Sequence, residues 1–113
     1  MIKLSVSKDF SIAPGPRKIE QGKNSGEMFR KELLEPYYKK AKTDGVKLEV
    51  NLDGTFGYFD SFIEEAFGGL ARQYTSDNIL DTILLISNEE PELIDKIKKY
   101  VMDANKVCVR WKV

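Results

Sequence analysis

The chain has 113 residues, with 18 basic and 18 acidic side chains, a single cysteine and no histidine. This length predicts one domain spanning residues 1–113, and the apolar fraction of 42% is sufficient for a folded core. The absence of histidine excludes a Ser-His-Asp triad and an HExxH zinc site, and a single cysteine excludes an internal disulfide. We therefore expect a non-enzymatic protein that needs no cofactor and no metal.

The charge is unevenly distributed along the chain. Residues 46–95 carry 2 basic and 11 acidic side chains, a net charge of −9, between flanking segments of +4 and +5. This acidic segment opposes nucleic-acid binding, because it repels phosphates. Two interpretations of it remain open: solvated helix faces, or an acidic surface that speeds the encounter with a basic partner.

No segment has the pattern of an export signal or a membrane anchor. The first residues are too short and too polar a stretch for a signal peptide. The longest strongly apolar run, Ile83–Ile86, is far shorter than the roughly 20 residues of a membrane span. The lone Cys108 agrees with a reducing compartment. We expect a cytoplasmic protein with no membrane partner.

Alternating apolar and polar residues predict strands at residues 2–6, 46–52 and 107–113. Residues 82–86 are apolar on both faces, which is typical of a central strand. Residues 10–12 could add a short strand paired with the first. Because three of the four main strands alternate, the pattern favours a two-layer α/β fold, with helices on one face of the sheet and water on the other.

Three helices separate the four strands. The first is predicted over residues 25–42, capped by Asn24 or Ser25. Pro36 should kink this helix or split it in two, because proline lacks an amide donor. The third begins near residues 88–91, with acidic residues in its first turn and lysines further along, as the helix dipole favours.

Residues 53–61 join the second strand to the second helix, at the edge of the sheet where α/β proteins usually bind ligands and partners. This segment contains Phe56, Tyr58 and Phe59 within four positions. Two interpretations remain open. Either two of these rings are buried beneath the loop, or the rings form a partly exposed patch for a partner.

Ser61 begins the second predicted helix and allows two roles. As the N-cap, with Glu64 completing a capping box, it would stabilise the helix by about 1 kcal/mol. As an exposed hydroxyl at a helix start it could instead accept a phosphate, which adds up to about two negative charges beside Asp60, Glu64 and Glu65.

The irregular connection of residues 13–24 is long enough to suggest a role in binding. An arginine beside a Ser-Gly helix start can bind an anion through backbone amides and its guanidinium group. Arg17, Ser25, Gly26 and Arg30 are therefore an alternative site, for a small anion or a nucleotide.

The pair Gly68-Gly69 interrupts the second helix, where each glycine costs about 1 kcal/mol relative to alanine. Two glycines in a row indicate close packing. The neighbour is either another part of the chain or a second copy, so a homodimer remains open.

Several segments together carry a family resemblance. They are Gly-Pro-Arg at 15–17, Ser-Gly-Glu-Met-Phe-Arg at 25–30, Asp53-Gly54, Gly57-Tyr58 and Ser-Phe-Ile-Glu-Glu-Ala-Phe-Gly-Gly-Leu at 61–70. With these segments the chain resembles the bacterial STAS-like domain family of unknown function, which is related to the STAS domains of anti-sigma factor antagonists. The resemblance implies a mixed sheet of four to five strands with about three helices, mainly on one face.

In anti-sigma factor antagonists, an Asp-Ser-Ser-Gly motif opens a helix after a strand, and a partner ATP-binding kinase phosphorylates the second serine. Asp60 and Ser61 match the first two positions, whereas Phe62 and Ile63 replace the second serine and the glycine. The resemblance implies a regulatory domain that binds an ATP-binding kinase or an anti-sigma-like protein through residues 58–70, and it leaves phosphorylation of Ser61 open. The predicted partner-binding residues are Phe56, Tyr58, Phe59, Asp60, Ser61, Glu64 and Glu65.

Overall fold

The structure, a computed structural model, describes residues 1–74 and 78–112, with side chains described as far as Ala104. Its sheet has the strands β1 (Ile2–Ser5), β2 (Leu48–Asn51) and β3 (Ile83–Ile86), in the spatial order β1-β2-β3. Both strand pairs are parallel. The predicted mixed sheet of four to five strands is therefore not confirmed: within the described residues the sheet has three strands and is wholly parallel.

Helices occupy the connections between strands and the C-terminal part of the chain. They are α1 (Val6–Asp9), α2 (Gly26–Phe29), α3 (Glu35–Asp44), α4 (Asp60–Ile63), α5 (Gly69–Gln73) and α6 (Glu92–Lys112). A π-helical turn, Arg30–Leu34, joins α2 to α3, and a second, Glu64–Gly68, joins α4 to α5. We call the two continuous helical segments that result, residues 26–44 and 60–73, the first and the second long helix. Short 3-10 turns lie at Ile19–Gln21 and Ile79–Asp81.

The two faces of the sheet differ in burial, as the alternating sequence predicted. The register aligns Leu4 with Val50 and Leu48 with Ile83, and all four side chains are at most 4% exposed. Helix α3 contacts β1 and β2. Side chains of the opposite face, such as Glu49, remain accessible within the described structure. The helical layer therefore covers one face, and the carboxyl edge of the sheet is left for the loops.

Strand β3 lies at the edge of the sheet, although its apolar sequence predicted a central strand. The central strand is β2, which pairs with β1 on one side and with β3 on the other. Consecutive strands of this chain are spatial neighbours, so the order of the connections determines the position of β3 and its composition does not. As a result Leu84, on the open face, is 47% exposed.

The first long helix begins where the sequence predicted. Ser25 is its N-cap, and the hydroxyl oxygen accepts a hydrogen bond of 3.0 Å from the backbone amide of Met28 in the first turn. The predicted break at Pro36 takes the form of a π-helical turn, in which the amide of Glu35 donates to the carbonyl of Arg30. This turn changes the hydrogen-bond pattern directly before the proline, which has no amide to contribute.

The strand predicted at residues 107–113 is wrong, because α6 continues to Lys112. Val113 lies outside the described residues, as do the side chains beyond Ala104. Neither glycine nor proline occurs from Glu92 to Lys112, so no residue in this stretch favours ending the helix. Extending an existing helix is easier than starting a new element, and this outweighs a short alternating pattern.

Residues 10–12 do not form the short strand that was considered for them. Ser5 ends β1 and caps α1, with its hydroxyl accepting the amide of Lys8 at 3.3 Å. In return the amide of Ser5 donates to the carboxylate of Asp9 at 2.8 Å. This reciprocal pair turns the chain away from the sheet directly after Ser5.

The core lies between the sheet and the helices. Its largest fully buried side chains are Phe29, Tyr38, Phe62, Phe67, Leu4, Leu34, Leu48, Ile63, Leu70, Ile79, Leu93 and Ile97. The rings of Phe29 and Phe62 stack with centroids 5.8 Å apart, which joins the two long helices over the sheet. Among the described residues, no helix combines the length and the apolar character that crossing a membrane requires.

Candidate functional site

The candidate site is the loop of residues 52–59, which follows β2 at the carboxyl edge of the sheet. Gly54 and Gly57 have φ angles of +92° and +121°, values that strain other residues. A Cβ atom on Gly54 would lie 2.7 Å from Oγ of Ser7. Glycine therefore lets this loop turn sharply while it lies against α1.

Hydrogen bonds fix the loop at several points. The amide of Phe56 donates to the carbonyl of Ile12 at 2.8 Å. The hydroxyl of Tyr58 donates to the carbonyl of Leu52 at 2.7 Å, so the loop also closes on itself. Burial raises the pKa of the Tyr58 phenol, which therefore stays protonated and available as this donor.

The loops that follow β2 and β3 are hydrogen-bonded to each other. The carboxylate of Asp53 accepts the amide of Glu89 at 2.9 Å and the side-chain amide of Asn88 at 3.1 Å. In return the amide of Gly54 donates to the carboxylate of Glu89 at 2.7 Å. Hydrogen bonds from these backbone and side-chain amides hold the pKa of Asp53 below its ordinary value.

Two of the three loop aromatics face the solvent. Phe56 is 84% exposed and Phe59 is 64% exposed, and Ile12, whose carbonyl is bonded to Phe56, is 52% exposed. Tyr58 is half-buried, with its ring centroid 5.7 Å from that of Phe62. Of the two interpretations of this segment, the exposed one holds for Phe56 and Phe59 and the buried one for Tyr58. We call Ile12, Phe56 and Phe59 the aromatic patch.

Ser61 is not the helix N-cap that its sequence suggested. The N-cap is Phe59, whose extended backbone directs its carbonyl to the amides of Phe62 and Ile63. Helix α4 begins at Asp60, which places Ser61 in the second helical position and partly exposed. The predicted capping box with Glu64 is therefore absent from this described segment.

Asp60 is exposed beside the aromatic patch and pairs with Lys96 of α6 at 3.1 Å. This pairing raises the pKa of Lys96. The contact is solvent-exposed on both sides, so its contribution to stability is small.

Glu65 is buried rather than displayed on the surface. Its carboxylate pairs with the buried Arg30 at 2.8 Å and lies 3.5 Å from a guanidinium nitrogen of Arg17. Glu64 pairs with the same Arg17 and with Arg72 at 2.6 Å. Burial tends to raise the pKa of Glu64, but the hydrogen bonds and charges of the two arginines outweigh it, and the pKa is lowered.

The residues of the alternative anion site do come together, but their polar groups are already engaged. The amide of Gly26 donates to the carbonyl of Pro16 at 2.9 Å, and the buried hydroxyl of Ser25 caps the helix. Arg17 and Arg30 both bond to carboxylates of the second long helix. The arrangement therefore argues against a bound anion and instead describes an internal contact between the N-terminal connection and two helices.

The Gly68-Gly69 pair serves this internal contact. A Cβ atom on Gly69 would lie 2.6 Å from Nε of Arg30, and one on Gly68 would collide with the carboxylate of Glu64. Gly69 thus leaves room for Arg30, which pairs with Glu65, and Gly68 leaves room for the carboxylate of Glu64. Of the two kinds of neighbour that the sequence allowed, this structure shows packing within the chain.

Three contributors to the loop surface were absent from the sequence prediction. Ile12 and Pro14 approach the loop from the N-terminal connection, and Glu90 approaches from the segment after β3. The signal for Glu90 was available, because parallel strands bring the residues that follow them to one edge of the sheet. The unusual length of the connection was the corresponding signal for Pro14.

In the described part of the chain, no cluster of three or more His, Cys, Asp or Glu side chains could hold a metal ion.

Comparison with known proteins gives one match. Residues 25–93, which include the loop and both long helices, match the family model of a STAS-like domain of unknown function. No curated protein and no solved structure matches the chain.

Proposed function

From the premise that the chain belongs to the family of STAS-like domains of unknown function, we propose that it is a non-enzymatic regulatory domain that binds a protein partner through the aromatic patch. The observation that carries this proposal is the exposure of two phenylalanine rings, 84% for Phe56 and 64% for Phe59, on one short loop. Large apolar side chains grouped on a surface are typical of interaction sites.

The hydrogen bonds of the loop support the proposal. Phe56 is held by the carbonyl of Ile12, and the loop before it is held by Glu89. A loop that is already ordered loses less conformational entropy on binding than a flexible one. Aromatic residues, phenylalanine included, are enriched at the buried core of protein interfaces.

The partner class that we propose is an ATP-binding kinase or an anti-sigma-like protein, as the family resemblance suggests. Ser61 is our proposed phosphorylation site, since it is partly exposed, lies in the first turn of α4 and follows Phe59 by two residues. A phosphate at this position would bring negative charge close to an apolar contact. We therefore expect phosphorylation to weaken binding.

Affinity capture from cells that contain the chain tests the proposed surface. The wild type should retain a protein with an ATP-binding kinase-type domain, and the double variant Phe56→Ala/Phe59→Ala should lose at least about 30-fold in affinity, as hot-spot aromatics do. Met102→Ala is the matched control, because Met102 is 56% exposed on α6, outside the patch. Equal retention by the double variant and the wild type would disprove the proposed surface.

Two substitutions of Ser61 test the regulatory part separately. We expect Ser61→Asp to weaken capture of the same partner and Ser61→Ala to leave it unchanged, because only the first adds negative charge. Mass spectrometry of the chain purified from its native cells should find phosphate on Ser61. If both substitutions leave capture unchanged and no phosphate is found, the regulatory role fails while the binding surface stands.

A further inference from the structure

A groove of about 410 Å³ runs between the N-terminal connection and the aromatic loop. Its lining includes Pro14 of the connection, the loop residues Phe56, Tyr58 and Phe59, and Glu90. A cavity of about 150 Å³ is enough for a benzene ring, so this groove has room for at least one large apolar side chain. Its lining is mostly apolar, which fits such an occupant.

A smaller pocket of about 120 Å³ adjoins the groove and is acidic. It shares Phe56, Tyr58 and Glu90 with the groove and adds the side chains of Asp53 and Glu89. The two pockets together place an apolar slot directly beside three carboxylates. An occupant that fits both pockets needs an apolar group beside a cationic group, whereas either pocket alone requires only one of the two.

Among the described residues, Asp53, Glu89 and Glu90 form no ion pair. Asp53 and Glu89 accept hydrogen bonds from amides, which are neutral donors. Lys96 pairs with Asp60 at 3.1 Å, and the charge of Glu90 adds a smaller contribution to the raised pKa of this lysine. A single lysine that is already paired with Asp60 does not balance three carboxylates, so negative charge beside the groove remains for a cation from outside the chain.

We propose that the groove binds an exposed segment of the partner protein in which a large apolar residue, the anchor, is followed or preceded directly by lysine or arginine. The anchor fills the slot between Pro14 and the aromatic rings, and the basic side chain meets Glu90 and the adjoining carboxylates. This inference rests on the proposed function and specifies the chemistry of its partner. Charge complementarity carries the choice, since the same carboxylates repel a phosphorylated peptide or an anionic membrane.

Selection from a phage-displayed library of random 12-residue peptides on the immobilised full chain tests the inference. We expect enrichment of peptides with an apolar residue next to lysine or arginine. Synthetic versions of the enriched peptides should bind Glu90→Lys at least tenfold more weakly than the wild type, and binding should weaken with added salt. Glu92→Lys is the matched control. It makes the same change of charge as Glu90→Lys, but Glu92 lies in the first turn of α6, outside both pockets.

Three results would overturn the inference. The first is enrichment of peptides without a basic residue, or of none at all. The second is equal binding of the enriched peptides to the Glu90→Lys and Glu92→Lys variants. The third is self-association of the chain that Phe56→Ala/Phe59→Ala abolishes, which would make a second copy the occupant.

The inference and the proposed function can fail separately. If Phe56→Ala/Phe59→Ala loses the cellular partner but Glu90→Lys retains it, the surface is confirmed and the apolar-basic recognition is wrong. If the peptides behave as expected but the double variant retains the cellular partner, the groove binds peptides while the native partner uses another surface.

Discussion

The two long helices lie so close together that some positions between them have no room for a side chain. Gly26 is the clearest of them, since a Cβ atom there would lie 2.5 Å from the carbonyl oxygen of Phe62 and 3.1 Å from its Cα. Both neighbours are backbone atoms that cannot rotate away. Close packing therefore explains the glycine of the Ser25-Gly26 helix start, and this explanation requires no bound ligand.

We predict that Gly26→Ala lowers the free energy of unfolding by at least about 1–3 kcal/mol, the usual cost of overpacking a core. Gly45→Ala is the comparison, because Gly45 has nothing within 4 Å of the added atom and is limited only by its φ of +68°. Urea unfolding followed by circular dichroism measures both. An unchanged stability for Gly26→Ala would contradict the close contact.

The neighbouring glutamates Glu64 and Glu65 differ in burial and should differ in cost. Glu65→Gln removes the charge that compensates the buried Arg30, and breaking a buried pair typically costs about 3–5 kcal/mol. Glu64→Gln should cost less, because its partners Arg17 and Arg72 remain partly exposed to water. Thermal unfolding of the two variants compares them, and equal losses would contradict the buried pairing.

At the scale of elements, Glu64 links the N-terminal connection to the second long helix. Its pKa is below the ordinary value of 4.5 in the folded protein, because the hydrogen bonds and charges of Arg72 and Arg17 outweigh the effect of burial. A carboxylate with a lowered folded pKa stabilises the fold above the unfolded pKa. That contribution is lost as the pH falls through the folded value.

We therefore predict that the stability difference between the wild type and Glu64→Gln is constant above about pH 5 and shrinks below pH 4.5. Urea unfolding at a series of pH values from 3 to 7 measures it. The low-pH points need a control for general acid unfolding, which Glu92→Gln supplies, since Glu92 has no ion pair among the described residues. A difference that does not change with pH would rule out this linkage.

The sequence predicted elements well where local patterns decide and poorly where chain connections decide. Alternation predicted β1 and β2, and a short apolar run predicted β3. A proline and a capping serine predicted the start of the first long helix and its interruption. The central position assigned to β3 failed, because strand order depends on the crossovers. The strand at 107–113 failed because a helix with no terminating residue continues through it.

The candidate site was likewise predictable only where local sequence decides its structure. The sequence predicted the position of the loop after β2 but left open whether its aromatic rings are buried or exposed, and the structure shows Phe56 and Phe59 exposed. The burial of Glu65 could not be read from the chain, because its partner Arg30 lies 35 positions away. The same long-range contacts engaged the groups of the suggested anion site.

At the scale of the whole molecule, we propose that stability and partner binding depend on different aromatic residues. Phe62 is completely buried in the core, and Phe59, three positions earlier, is 64% exposed in the patch. We predict a loss of about 3–5 kcal/mol for Phe62→Ala and a change within about 0.5 kcal/mol for Phe59→Ala. Urea unfolding compares the two, and a Phe59→Ala loss as large as that of Phe62→Ala would mean that the patch is part of the core.

Exposed apolar side chains also occur on the open face of the sheet, which we compare with the aromatic patch. The open face of the sheet offers a competing site, with Leu84 exposed at the edge strand, but only one such large apolar side chain is exposed there in the described strands. The aromatic patch groups three and adjoins unpaired carboxylates. We therefore propose the carboxyl edge of the sheet, rather than its open face, as the partner-binding surface.

Hydrogen–deuterium exchange of the chain, measured alone and in complex with the captured partner, locates the binding surface most directly. We predict slower exchange at residues 11–15 and 53–61 in the complex, with no change in β1 or in α3. Slower exchange confined to the strands or to α3, with the loop unaffected, would contradict the assignment of the aromatic patch as the partner-binding surface.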